Sequence, residues 1–445
     1  MNAVLIFTIR ELSVIMVSMK IVISSDIYYP MINGVAAFSR NLAAGLYKRG
    51  HQVLVLAPSI TGKYGVEKDE QYGFTVVRLT SFKMPFYPDQ IHSVPEAREF
   101  RGIRLPKMLY KNGLNISLAP FSEICSVLDE FRPDIIHDQT PGPVALGVFR
   151  YARKRKIPLV STDHAYPDNL TQQLKLPGVA KRPLNKLMNE YFISFLNHSA
   201  YATMPTEQAI EDLIPKNRKR FHVTVEAISN GIDLSCFSPG ETDRAICEKY
   251  GLPVDKPLIL FVGRVDPEKS LDILMKSFIM VAKEVPAAHL VIVGDGTSRT
   301  KLEQMAEKAD LSDRVHFTGR VVGEDLPQIY RAAEVFAITS KTETQSIVLL
   351  EAMATGLPCV AVKAGAIPEL VKTGENGFLC DADDVEAIAE GLRTILTDPE
   401  QNRSMRRASL EKVRKHDMGH TLKRLEEIYR EVLDVRIGQS ADENR

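Results

Sequence analysis

The chain has few cysteines, and they form no pattern. Cys125, Cys236, Cys247, Cys359 and Cys380 are scattered through 445 residues, odd in number and without C-x-x-C spacing. That arrangement speaks against a disulfide framework and a structural zinc site, and it leads us to expect reduced thiols in a cytosol. An excess of charge is lacking too. Lys+Arg and Asp+Glu both total 56, which argues against a nucleic-acid partner. Long apolar runs are also missing. In residues 1–18 the apolar stretches Val4–Phe7 and Val14–Val17 are separated by Arg10 and Glu11. They are too short to span a bilayer and lack the form of a signal peptide. Residues 1–18 are therefore expected to be a leader outside the fold, which Met19 opens.

What is there reads as a soluble α/β protein. Hydrophobic residues make up 44% and charged residues 25%, and the length exceeds one ordinary core, so two domains are expected. Strand and helix patterns alternate, which implies parallel sheets with helical crossovers. Strands are expected at Ile21–Ser25, Val53–Ala57, Phe74–Arg78, Ile135–His137 and Leu159–Thr162. After a linker at Ser238-Pro239-Gly240 they follow at Leu258–Val262, His289–Val293, Val315–Phe317, Val335–Ile338 and Cys359–Val362. The expected domains are 19–236 and 237–418, with a C-terminal helix over 419–436 and a disordered tail over 437–445. Leu422, Leu425, Ile428, Tyr429 and Val432 lie on one side of that helix, at helical spacing.

The second half carries the chemistry. Strand Leu258–Val262 runs into Gly263-Arg264-Val265-Asp266-Pro267-Glu268-Lys269. Ligands bind at the carboxyl ends of open parallel sheets, and Arg264 with Lys269 there suits a diphosphate; a solvated charged turn is the alternative. Val293-Gly294-Asp295-Gly296 invites a dinucleotide reading, but Arg299 stands at the third glycine position, so a tight strand-to-helix turn is expected instead. The strongest signal is Ser340-Lys341-Thr342-Glu343-Thr344-Gln345-Ser346-Ile347, followed by an apolar helix through Glu351 that Gly356-Leu357-Pro358 ends. Glu343 lies after a strand end, and Glu351, eight positions on, is expected roughly two turns into the helix. Helix N-terminal amides hold anions, and carboxylates accept from sugar hydroxyls. Two acids flanking such amides suit a sugar nucleotide; a capping acid and a helix-face acid are the plainer alternative. His416 and His420 have the spacing of a metal site without its Glu, so a surface pair is expected. Asp381-Ala382-Asp383 is expected in a turn.

Taken together these segments resemble glycosyltransferase family 4, retaining enzymes of the GT-B fold. The resemblance rests on Gly34, Asn230-Gly231-Ile232-Asp233, Gly263-Arg264 with Lys269, Gly294-Asp295-Gly296, Gly319-Arg320, the Glu343–Glu351 pair, Pro368-Glu369 and Asn376-Gly377. It runs from Met19 to the C-terminal helix. It implies two Rossmann-like domains facing across a cleft, with the C-terminal helix crossing back to the first. It places Arg264 and Lys269 on the donor diphosphate, Glu343 on the donor sugar, Glu351 on the ribose, the Arg320 segment at the base, and the amides of Ser346 and Ile347 at the sugar and phosphate. Gly34 would lie near the phosphates, Asn230 and Gly294 would line the substrate, and His164 would lie near the reacting sugar; His137, at another strand end, is the second histidine candidate. Many members have Gly where Ser346 stands. The resemblance also implies that no metal and no cofactor is needed, with a nucleotide sugar, UDP-sugar favoured, as co-substrate.

Lys341-Thr342-Glu343-Thr344-Gln345 looks like the motif of the branch that makes glucosyl-diacylglycerols. Residues 150–222 add 13 Lys+Arg against 6 Asp+Glu, and Leu184, Leu187, Met188, Tyr191 and Phe195 fall at helical spacing beside Lys186. A basic amphipathic surface of this kind suits an anionic membrane, although such a stripe commonly packs into its own core. The expected reaction is hexose transfer, of glucose, to a membrane lipid such as diacylglycerol, by a cytoplasmic protein held peripherally on the cell membrane. A soluble sugar, sugar phosphate or polysaccharide-precursor acceptor, a sugar-nucleotide epimerase and a non-catalytic nucleotide-sugar binder are the alternatives.

Overall fold

A computed structural model describes residues 18–31, 33–83, 99–100, 103–104, 115–117, 121–164, 178–214 and 220–442. The expectation for the leader falls outside these residues apart from Ser18, whose hydroxyl donates to the Gly50 carbonyl. The chain forms two compact units, Met1–Val160 with Glu431–Arg445, and Ser161–Arg430.

In the first unit five strands lie in the order Ile135–Asp138, Lys20–Ser24, Gln52–Pro58, Thr75–Leu79, Gly65–Lys68. The first four are mutually parallel and the last is antiparallel. Their apolar runs are buried almost without alternation, as expected of strands covered on both faces. Helices Gly34–Lys48, Phe121–Phe131 and Pro143–Arg155 supply the cover. Val22, Leu54, Leu56, Val77 and Ile136 pack with Ile124, Leu128, Val144 and Val148 into one core. Gly65–Lys68 was not expected from the sequence; Glu67 and Lys68 are exposed on this sheet edge, where charge discourages further strand pairing.

The second unit contains a fully parallel six-stranded sheet in the order Val315–Gly319, His289–Val293, Leu258–Val262, Val335–Ile338, Cys359–Val362, Gly377–Cys380. Leu258–Val262 is buried at every position, as its unbroken apolar run requires. The amphipathic helices Leu271–Glu284 and Val385–Thr397 close over the sheet with Leu274, Phe278, Val281, Ile388, Leu392 and Ile395. Asp384 caps the second of these by accepting from the Ala387 amide, a contact of about 1 kcal/mol. Tyr201–Met204 and Val225–Ala227, which also form a parallel pair in this unit, were not expected, being short and bordered by polar residues. Helix Met418–Asp442 extends past the expected end at residue 436, across residues expected to be a disordered tail. A single Gly438 inside a helix costs only about 1 kcal/mol relative to Ala, so it does not stop the helix. Leu422, Leu425 and Ile428 of the expected stripe are buried.

Among the described residues no helix is long and apolar enough to cross a membrane, and the five cysteines are free thiols.

Candidate active site

The six-stranded sheet has one switch point. Strands are added on one side of Leu258–Val262 up to Val315–Gly319, and the order then reverses to Val335–Ile338 on its other side. Crossovers leave opposite faces at such a point and open a crevice at the carboxyl ends of the two central strands. Gly263–Lys269 leaves one of these ends and Thr339–Ser346 leaves the other. Thr339 ties them together, its hydroxyl donating towards the carbonyls of Lys269 (2.9 Å) and Ser270 (3.1 Å).

The charges at the crevice are paired. Lys269 Nζ donates to Glu343 Oε1 at 2.8 Å, with side-chain exposures of 20% and 12%. Arg264 pairs with Asp266 at 3.1 Å and with Glu268. Asp266 also accepts from the amide and hydroxyl of Thr297, both at 2.9 Å, which fixes the carboxylate that holds Arg264. Lys269 and the first acid of the acidic motif are thus brought together across 74 positions, while Arg264 is held by two acids of its own turn.

Glycine is required at two turns here. Gly294 has φ +133°, and a Cβ on it would lie 1.8 Å from the Gly263 carbonyl oxygen; its amide donates to Gly319 at 2.7 Å. The Gly294-Asp295-Gly296 turn joins the ends of three strands, in keeping with a tight strand-to-helix turn rather than a dinucleotide fingerprint. Gly365, which the sequence did not single out, has φ +48°, and its Cβ would lie 2.1 Å from the Glu343 carbonyl. That carbonyl accepts from the Ala366 amide at 2.9 Å.

The helix after the acidic motif is Ile347–Ala354. Glu351 is therefore its fifth residue, just past the first turn rather than two turns in. The reason is that Thr344 and Gln345 are held in a loop by side-chain bonds to other segments, so the helix starts late. Ser346 occupies the N-cap position, but its hydroxyl does not cap the helix; it is buried without a hydrogen-bond partner. The first-turn amides, Ile347 included, therefore receive no side-chain cap. Glu351 accepts from the Tyr330 hydroxyl at 2.7 Å, and burial pushes its pKa up to about 7. Arg320 follows strand Val315–Gly319 and is exposed.

Three further segments of the same unit meet the loop. Thr344 Oγ1 donates to the His164 carbonyl, and the Thr344 carbonyl accepts from Thr206 Oγ1, each at 2.9 Å. Gln345 Oε1 accepts from the Asn230 amide at 2.7 Å. Burial lowers the His164 pKa to about 3, against a smaller opposing effect of the nearby Asn230 side chain, so the imidazole is neutral near pH 7; Asn230 Oδ1 is buried without a hydrogen-bond partner. The Thr344-Gln345 loop thus ties together the segments of His164 and Asn230, 66 positions apart.

Gly34 and His137 belong to the first unit. Gly34 is the exposed first residue of helix Gly34–Lys48, whose N-cap Asn33 accepts from the Ala36 amide at 2.9 Å. His137 is fully buried in its strand, in register with Ile23. Nearby, sequence reasoning missed an acid pair, Asp26 half-buried and Asp138 fully buried. Asp26 accepts from the Val144 amide at 3.0 Å and is pushed up to about pKa 7 by burial. Asp138 accepts from Ser24 Oγ at 2.6 Å and is held well above the ordinary carboxylate range by burial.

His416 and His420 are not the surface pair that their spacing suggests. His416 sits in the turn Arg414–His416, its Nδ1 2.8 Å from Ser229 Oγ, and burial lowers its pKa to about 4; His420 is exposed on the next helix. The break between the two elements separates them. Asp381 and Asp383 are each occupied by a lysine, Lys363 at 2.8 Å and Lys341 at 2.7 Å.

Comparison with known proteins adds the decisive observations. Residues 32–235 match the model of Glycosyltransferase Family 4, and residues 243–412 that of Glycosyl transferases group 1. A sulfoquinovosyl transferase of Arabidopsis thaliana is 30% identical over 87% of this chain and 69% of its own length. The chain is a family 4 glycosyltransferase.

Other relatives of this hexosyltransferase include alpha-monoglucosyldiacylglycerol synthases of Streptococcus pneumoniae, 25% identical over 92% of this chain and 85% of the relative, and of Acholeplasma laidlawii, 27% identical over 86% and 89%. The enzyme's fold is GT-B. Sucrose-phosphate synthase from Thermosynechococcus elongatus superposes with a TM-score of 0.72 at 19% identity, covering 93% of this chain and 99% of that one. The Anabaena protein HepE in complex with UDP-glucose gives 0.66 at 19% identity, over 93% and 99%.

Proposed function

We propose that the enzyme transfers glucose from a UDP-sugar to a membrane lipid of the diacylglycerol class, with retention of anomeric configuration. The observation that carries the acceptor class is the similarity, over most of both chains, to two synthases named for glucosyl-diacylglycerol.

The chain's own residues suit the donor side. Arg264 and Lys269 exchange their present carboxylate partners for the diphosphate and stabilise the charge that grows as the bond to the sugar breaks. The uncapped first-turn amides beginning at Ile347, with the buried Ser346 hydroxyl, add donors to the same anion. Glu343, released by Lys269, accepts from sugar hydroxyls, and Glu351 accepts from those of the ribose. His164, held neutral, serves as a hydrogen-bond partner of the sugar rather than as a proton source. The acceptor hydroxyl attacks the face from which the diphosphate leaves, and a diphosphate oxygen takes its proton.

Helix Gly178–Leu196 supports the membrane-surface reading. Its C-terminal half packs inward through Phe192, Ile193, Phe195 and Leu196, while Leu187 stands 62% exposed and Lys186 is exposed beside it. The apolar stripe is thus only partly used by the core. Lys181 and Arg182 lie outside the residues whose side chains are described.

Flotation with liposomes tests the surface, and product analysis tests the acceptor. Binding should rise with anionic lipid and fall with salt, because surface attraction is screened. Labelled glucose should pass from UDP-glucose to diacylglycerol in the vesicles. Indifference to anionic vesicles, with a soluble sugar glucosylated as readily as diacylglycerol, would overturn the proposal.

A further inference from the structure

The loop between strand Val335–Ile338 and helix Ile347–Ala354 is polar, and its side chains fall into two sets. Thr339, Lys341, Glu343, Thr344 and Gln345 each bond a partner elsewhere in the unit: in turn the Lys269 carbonyl, Asp383, Lys269, the His164 carbonyl and the Asn230 amide. The hydroxyls of Ser340 and Ser346 are buried and have none. Ser346 differs from Ser340 in standing at the start of a helix. Its carbonyl accepts from the Leu350 amide at 3.2 Å, the first bond of that helix. A serine in this place ordinarily accepts from a first-turn amide through its side chain, which satisfies both groups. Ser346 does not, although the residue is only 3% exposed.

Buried polar groups are nearly always paired, and one that is not calls for a partner outside the chain. A hydroxyl offers one proton and two lone pairs. In the function proposed above the proton goes to the donor diphosphate. The lone pairs then need a donor of their own, and the anion has none to give. In a hexose joined to a diphosphate, the anomeric carbon bears the phosphate oxygen and the next carbon bears the 2-hydroxyl. A group that bonds the sugar-bearing phosphate therefore has the 2-hydroxyl within reach, and that hydroxyl carries the proton the lone pairs lack.

We infer that Ser346 is a specificity-determining residue of the donor site: its side-chain oxygen accepts from the 2-hydroxyl of the donor hexose. The inference rests on the donor reading above and deepens it. A site built to bond a substrate hydroxyl rejects the analogue that lacks it, because the buried protein group is then left unpaired. The enzyme therefore selects a hexose with an unsubstituted 2-hydroxyl over one deoxygenated at that carbon.

The test pairs a deletion from the protein with a deletion from the substrate, on the full-length enzyme. UDP-glucose and UDP-2-deoxyglucose are compared with wild type and Ser346→Ala, as donors to the acceptor the wild type uses and as ligands in calorimetry. Ser346→Ala should lower kcat/KM for UDP-glucose at least fivefold more than for the 2-deoxy donor, because the 2-deoxy donor has already lost the contact. The intrinsic reactivity of the 2-deoxy sugar cancels in this comparison. The same coupling should appear in the two dissociation constants. Losses that agree within twofold for the two donors overturn the inference. A second readout needs no ligand. The unfolding midpoint of Ser346→Ala should equal or exceed that of wild type, because the substitution removes a buried hydroxyl that the protein leaves unpaired. A lower midpoint, or a variant that does not fold, shows a structural role for the hydroxyl and also overturns the inference. Failure of the underlying reading looks different. Coupling in calorimetry with an enzyme that transfers no sugar would leave the inference standing and remove glucose transfer, whereas UDP-glucose that does not bind wild type would remove both.

Discussion

Replacing Glu351 with Gln should stabilise the unliganded enzyme, by an amount that grows with pH. Burial raises the Glu351 carboxyl from 4.5 to about 7. The folded protein therefore holds this proton more tightly than the unfolded chain does. The resulting stability is full below the unfolded value and is lost as pH rises through the window from 4.5 to about 7. A tenfold difference in proton affinity is worth about 1.4 kcal/mol, so relative to low pH the carboxyl costs wild type about 3 kcal/mol of stability at pH 8 and about 1 kcal/mol at pH 5, where the unfolded chain already ionises. Glutamine avoids that cost, and its side-chain oxygen still accepts from the Tyr330 hydroxyl. Denaturant unfolding at pH 5 and pH 8, with mutant and wild type compared at each, reads the difference directly. The gain should be roughly three times larger at pH 8. Equal gains at the two pH values, or a loss at pH 8, would refute the reasoning. The same substitution should weaken UDP binding above pH 7, since a neutral amide accepts less strongly from ribose hydroxyls; stability gained and affinity lost at one atom is the signature of a group placed for a ligand.

Two further outcomes are expected. Arg264→Ala combined with Lys269→Ala should weaken UDP binding by at least tenfold in calorimetry. Charged hydrogen bonds are worth roughly 1.5–3 kcal/mol each, and the loss falls short of their sum because both cations already hold carboxylate partners in the free enzyme; unchanged affinity would remove them from the diphosphate site. Treatment with a chelator should leave transfer intact, because the cations supply the charge that a metal would; activity that vanishes and returns only with magnesium or manganese would show otherwise.

Much of this enzyme is legible along the chain, because its determinants are local. The parallel sheets follow from buried apolar runs, and Leu258–Val262, Val335–Ile338 and Cys359–Val362 stand where the apolar pattern puts them. The turn at Gly294 is readable because it needs a residue without a Cβ. The acidic motif announces itself by a polar run between a strand and an apolar helix. What the chain order does not encode is partnership across distance. Tyr330 finds Glu351 over 21 residues, Lys269 finds Glu343 over 74, and Gln345 finds Asn230 over 115. No period or propensity links such residues. Their meeting depends on strands added in a given order, and so does the burial that lifts Glu351 to about 7 and lowers His164 to about 3. His416 illustrates the same limit: its spacing to His420 suggested a pair on one surface, but a helix break turned it inward to Ser229. Residue type and spacing determined which groups were available to the site; tertiary packing alone decided which carry a charge and which neighbour each one faces, because desolvation and distance are properties of the folded interior.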